Sequence, residues 1–151
     1  MKVAVGSDHG GLNLKQPVID AIRQAGHEPI DLGTFTSESV DYPDFTEKVG
    51  RAIQRGEAER GVTLCGSGVG AVIAANKMRG IRAGLCHDTY SAHQGVEHDN
   101  MNVLALGGRI IGVELAEEIV RSFLSAKYSG EERHARRVRK TQAIEDGERG
   151  R

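Results

Sequence analysis

The chain has 151 residues, with 20 Lys and Arg against 21 Asp and Glu, 20 Gly, 3 Pro and no Trp. This length suits one compact domain over residues 1–151, and the formal charge of −1 argues against a surface built to coat nucleic acid or an anionic membrane. The longest apolar run, residues 71–75, falls far short of the roughly 20 residues that span a bilayer, so no membrane partner is expected. No basic region leads into an apolar stretch near Met1, so no export signal is expected either. Two cysteines, Cys65 and Cys86, are too few for a disulfide scaffold and read as reduced thiols in a cytoplasm.

Short β-branched runs alternate with segments of helical period along the chain, which is the pattern of a parallel sheet covered by helices. The first strand is expected at residues 3–5. It is followed by Ser7-Asp8-His9-Gly10-Gly11 and a helix through Leu14, Val18, Ile19 and Ile22 that stops at Gly26. Pro17 fits such a helix only near its first turn, which places the start close to Asn13. A second strand at residues 28–32 leads through a polar loop to Pro43, at the first helical position, and to a buried stripe of Phe45, Val49, Ala52 and Ile53. The third strand, residues 61–64, ends in Cys65-Gly66-Ser67-Gly68-Val69-Gly70 before a small-residue helix over 71–77. The fourth, residues 81–86, precedes a helix over 89–97. The fifth, residues 103–106, ends in Gly107-Gly108-Arg109 before a helix whose inner face carries Leu115, Ala116, Ile119, Val120, Phe123 and Leu124. Residues 129–151 read as a charged C-terminal helix or tail. The expected fold is α/β: a doubly wound, five-stranded parallel sheet, Rossmann-like or flavodoxin-like, with a C-terminal helical extension and a ligand site beyond the carboxyl ends of the strands.

Glycine clusters close three of the five strands, where backbone must come close to a ligand or turn tightly. Within the third-strand cluster, free amides at a helix start form an anion hole and lower the pKa of a thiol at its mouth, making Cys65 a candidate base or nucleophile and Ser67 a hydroxyl donor. Buried cysteines are more often inert. Gly66-Ser67-Gly68-Val69-Gly70-Ala71 with Asp88 further on also satisfies a dinucleotide-binding pattern, although it follows the third strand rather than the first. Asp8-His9 and His98-Asp99-Asn100 put a proton carrier beside carboxylate or amide groups. His87 and His93 have only a cap or surface reading. No His, Cys or carboxylate spacing offers enough ligands for zinc, so no metal site is expected. Arg133 and Arg137, four apart on one helix face, can grip a phosphate; the nearby acidic residues and the lack of interleaved aromatics disfavour RNA.

Val5-Gly6-Ser7-Asp8-His9-Gly10-Gly11, Asp41-Tyr42-Pro43, the Cys65–Gly70 segment, Ala74-Ala75-Asn76-Lys77, Glu97-His98-Asp99-Asn100, Asn102-Val103-Leu104, Gly107-Gly108-Arg109 and Arg133-His134 through Arg137 resemble, in order and spacing, the type B ribose-5-phosphate isomerase family, which includes galactose-6-phosphate isomerase subunits. The resemblance runs from residue 2 to about 145 and implies a metal-free, cofactor-free aldose–ketose isomerase. It also implies a homodimer or tetramer whose sites combine residues of two subunits around a phosphorylated sugar. It makes Cys65 the base that moves a proton between C1 and C2. Members without this cysteine use a glutamate after the last glycine of the loop, where this chain has Ala71. Ser67 and the amides of Gly66, Gly68, Val69 and Gly70 would hold the enediolate oxygen, and His98 would help open the ring. Asp8 would bind a hydroxyl, and His9, Arg109, Arg133 and Arg137 the substrate and its phosphate. Many relatives have Asn directly after the histidine; here Asp99 stands there and Asn100 follows, and both are carried as substrate contacts. The expected reaction interconverts ribose 5-phosphate and ribulose 5-phosphate. The alternatives are a six-carbon substrate, allose 6-phosphate or galactose 6-phosphate, and, more remotely, a dinucleotide-binding module.

Overall fold

The computed structural model describes residues 1–149, and the described residues form five strands and six α-helices in strict alternation up to the last helix. In chain order these are β1 Lys2–Ser7, α1 Leu12–Gln24, β2 Glu28–Asp31, α2 Tyr42–Gln54, β3 Arg60–Cys65, α3 Val69–Ala75, β4 Ala83–Leu85, α4 Thr89–Asp99, β5 Val103–Gly107, α5 Val113–Ser125 and α6 Glu132–Arg149. Every neighbouring pair is parallel and the order is β2-β1-β3-β5-β4. The sheet is doubly wound, as the alternation predicts, with the last two strands exchanged relative to the flavodoxin order. The winding reverses between β1 and β3. Register there sets Ser7 beside Leu64, and Cys65 beside Gly107 of β5, so the carboxyl ends of the three central strands lie side by side.

Alternation along each strand sorts side chains to two cores. Val3, Val5, Val62, Leu64, Leu104 and Leu106 pack against α1, α4 and α5 on one face; Ala4 and Val103 meet Val49, Ala52, Ala75 and Ile81 on the other. Burial on both faces is why these strands read as continuous apolar runs. The α5 stripe is buried except for Leu115, which is 38% exposed: it lies one position off the inner arc and turns outward. On the second face the hydroxyls of Thr46 and Thr63 bond each other at 2.9 Å, which satisfies both in a buried position.

Pro17 stands in the second turn of α1, not the first, because a 3₁₀ turn at His9–Gly11 runs directly into the helix and brings its start forward to Leu12. Gly26, at φ +81°, ends α1 in the left-handed conformation that favours glycine. Pro43 is the second residue of α2. Arg60, at the start of β3, donates to the carbonyls of Phe123, Leu124 and Ala126 and so satisfies the end of α5. The charged extension is a helix tied down by an Arg79–Asp146 ion pair and by Glu145 accepting from the Gly80 amide. Residues 150–151 of the expected tail lie outside the described residues. Among the described residues no helix is long and apolar enough to cross a membrane.

Candidate active site

At the β1/β3 reversal, Asp8, Tyr42, Cys65, Gly66, Ser67, Gly70, Arg109 and Ile110 line a cleft of about 320 Å³. Each polar member is held by the local chain. Asp8, 7% exposed, uses Oδ1 to accept from the amides of Gly10 (2.8 Å) and Gly11 (3.1 Å), which caps the 3₁₀ turn. Cys65 ends β3 with its Sγ accepting from the Gly68 amide at 3.1 Å, so a sulfur anion there already has a donor. Ser67 Oγ accepts from the Val69 amide at 3.2 Å. Gly68 takes φ +79°, and a Cβ there would sit 2.5 Å from Leu85 Cδ1 and 3.0 Å from the backbone of Leu106; only glycine makes this turn. The first helical bond of α3 runs from the Val72 amide to the Gly68 carbonyl, leaving the preceding amides outside the helical ladder.

The Gly107-Gly108-Arg109 turn is laced to the cysteine turn: the Gly108 amide donates to the Cys65 carbonyl (2.8 Å) and the Arg109 amide to the Gly66 carbonyl (3.0 Å). The Arg109 guanidinium therefore lies over Gly66, where an added Cβ would come within 3.1 Å of Nη1. His9 Nδ1 accepts from the Val40 amide at 3.2 Å. A backbone N–H can only donate, so neutral His9 carries its proton on Nε2.

The remaining predicted residues stand elsewhere in the chain. His98, Asp99 and Asn100 close α4 and lead into the amino end of β5, with Asn100 at φ +52° as the helix cap. The His98 ring meets His134 of α6 edge-on, centroids 3.9 Å apart, and its Nδ1 lies 2.8 Å from Gln94 Nε2. His134 is buried, and its Nδ1 has no hydrogen-bond partner among the described residues. Arg133, paired with Glu131 at 2.9 Å, and Arg137 flank that histidine. A five-residue strand rising about 3.3 Å per residue thus separates these groups from Cys65, roughly 15 Å along the sheet. Within one chain the predicted site is two half-sites, at opposite ends of the central strands.

Tyr42, part of a quoted motif but given no site role, and Ile110 also line the cleft; Tyr42 packs its ring against Gly70, where a Cβ would meet it at 2.8 Å. His87 departs from its cap-or-surface reading: its Nε2 accepts from the Gly107 amide at 3.0 Å. Its place just past the fourth strand, at the edge where ligands gather, was the available signal. Asp88 accepts from the Ser91 amide at 2.6 Å as the N-cap of α4, so the acidic residue of the dinucleotide pattern is engaged in its own helix. Burial pushes the Cys86 thiol up to about 11, which leaves it a packing residue. Among the described residues no group of three or more His, Cys, Asp or Glu is disposed to hold a metal ion.

A family model described as Ribose/Galactose Isomerase matches residues 3–141. Ribose-5-phosphate isomerase B of Escherichia coli is 46% identical over 144 residues, covering 95% of this chain and 96% of that protein. D-erythrulose-4-phosphate isomerase of Pectobacterium atrosepticum is 42% identical over 131 residues, 86% of each. Among solved structures, ribose-5-phosphate isomerase B of Clostridium thermocellum superposes with a TM-score of 0.94 at 50% identity, covering 97% of this chain and 99% of that one. A cysteine-centred cleft at the sheet's switch point, a match over nearly the whole chain and a common backbone agree that this chain belongs to the ribose/galactose isomerase family.

Proposed function

We propose that the chain interconverts ribose 5-phosphate and ribulose 5-phosphate as one isomerase domain in a cytoplasm, with Cys65 as the proton-transferring base. The observation that carries the reading is the Cys65 sulfur, buried at the end of β3, facing the Gly68 amide in a cleft shared with Asp8 and Arg109. In the open-chain aldose, the thiolate removes the proton on C2; electrons flow into a C1–C2 double bond and charge collects on O1. The amides of the Gly66–Gly70 turn and the Ser67 hydroxyl stabilise that oxyanion. The Cys65 thiol then returns its proton to C1, while the O2 proton leaves as C2 becomes the ketone and O1 is protonated. Asp8, with one oxygen held by Gly10 and Gly11, orients a substrate hydroxyl through the other. His9, presenting Nε2–H, and Arg109 hold the far end of the sugar, so that binding remote from the reacting carbons positions C1 and C2.

Ribose 5-phosphate is mostly a ring, and opening it breaks the bond between C1 and the ring oxygen, protonates that oxygen and deprotonates the C1 hydroxyl. His98 supplies this step, and Arg133 and Arg137 close on the phosphate, from a second copy of the chain, with Asp99 and Asn100 beside them. The half-site separation supports this arrangement, as do Val69 and Ile73, four apart on α3 and about half exposed on a face a partner can cover. The test is direct conversion of ribose 5-phosphate by purified protein, run beside erythrulose 4-phosphate, allose 6-phosphate and galactose 6-phosphate. Cys65→Ala is expected to lower kcat by about 10²–10⁴-fold while a phosphate-bearing inhibitor still binds. Near-normal turnover in that variant refutes the base assignment.

A further inference from the structure

We propose that His87 is a positioning residue that sets the Gly107–Arg109 turn, and with it the Arg109 guanidinium, and that it does so only while neutral. Alternate amides of β5 face β4: the Val103 amide bonds the Arg82 carbonyl, so those of Ala105 and Gly107 point the same way. β4 stops at Leu85, opposite Ala105, and therefore offers no strand carbonyl to Gly107. His87 Nε2 takes that place at 3.0 Å. Gly107 is buried and hemmed in, since a Cβ there would lie 2.6 Å from the backbone of Ser67. From this amide the turn runs straight to the two bonds that tie it to Cys65 and Gly66, and Asn13 Nδ2 donates to the Gly108 carbonyl at 2.9 Å on the outer side.

A backbone N–H has no lone pair, so the bond requires a lone pair on Nε2 and the proton of neutral His87 on Nδ1. A second proton sets N–H against N–H and breaks the contact. Burial favours the neutral form, and Asp88, next in the chain, pulls weakly the other way. Acidification therefore releases Gly107 and loosens the turn that carries Arg109 over Gly66. The inference rests on the reading that the Cys65 cleft binds a phosphorylated sugar.

The experiment combines ¹⁵N NMR of the whole protein with steady-state kinetics on ribose 5-phosphate. In the wild type, the Gly107 amide resonance is expected to move with the His87 imidazole titration. His87→Leu, which removes the acceptor, is expected to raise KM about tenfold at roughly pH 8, the loss of one hydrogen bond. His87→Gln, whose side-chain carbonyl accepts and does not titrate, is expected to restore KM and to remove the extra KM rise that the wild type shows towards about pH 5.5. A Gly107 resonance indifferent to His87 titration overturns the inference, as does a His87→Leu variant with wild-type KM. If the wild type does not turn over ribose 5-phosphate, the substrate reading fails while the NMR arm still decides the His87–Gly107 bond. If His87→Leu does not fold, the wild-type titration and the His87→Gln profile carry the test.

Discussion

Gly68→Ala tests the geometry of the cysteine turn most directly. Gly68 sits at φ +79° and ψ −16°, a region where a side chain costs about 1–2 kcal/mol. The added methyl meets two neighbours. Leu85 Cδ1, at 2.5 Å, ends a partly exposed side chain and can rotate away; the Leu106 carbonyl carbon, at 3.0 Å, belongs to the backbone of β5 and cannot. Crowding of this kind costs about 1–3 kcal/mol, so the variant should lose about 2–5 kcal/mol of unfolding free energy. The displaced residue also carries the N–H that faces Cys65 Sγ, so kcat/KM should fall by about 10²-fold, the consequence of misplacing a reacting group by an ångström. Urea unfolding gives the first quantity from a shift in midpoint at unchanged slope, and ribulose 5-phosphate formation gives the second. A midpoint within error of the wild type, or unchanged kcat/KM, refutes the claim that only glycine makes this turn.

Two further expectations follow from charge and capping. Burial is the first cause holding the imidazoles of His27, His87 and His134 below their ordinary range. The folded chain then binds fewer protons than the unfolded one just below about pH 6.5, so the stability these groups contribute is present above that pH and lost as pH falls through their lower folded values. The urea midpoint should decline on that side, less steeply in His27→Gln, whose side chain cannot titrate beside the Met1 amine; a flat profile counts against it. Asp88→Ala removes the cap on the Ser91 amide and should cost about 1 kcal/mol of stability. The wild type should show no saturable NAD binding for that substitution to abolish, and binding that depends on Asp88 would revive the dinucleotide reading.

Much of this protein is legible in its sequence. Short β-branched runs and helical stripes specify the five strands and their helices, because doubly buried strands read as apolar runs, as around Val3 and Val5, and one-sided helices as stripes, as with Ile119 and Phe123. Glycine and proline punctuation set most boundaries to within a residue or two, for the local steric reason that governs Gly26 and Gly68. The cleft around Asp8, Cys65, Ser67 and Arg109 was legible too, since parallel strands bring their carboxyl ends to one edge. The exchange of β4 and β5 was not, because strand order depends on which crossover packs better and not on any strand's own pattern. Nor was the outward turn of Leu115, or the bond from the Gly107 amide to His87, which forms where β4 ends two residues short of its neighbour. The largest decision left to tertiary structure is the separation of His98, Arg133 and Arg137 from Cys65. Sequence names residues by chemistry; the path of β5 sets these at the far end of the strand from Cys65.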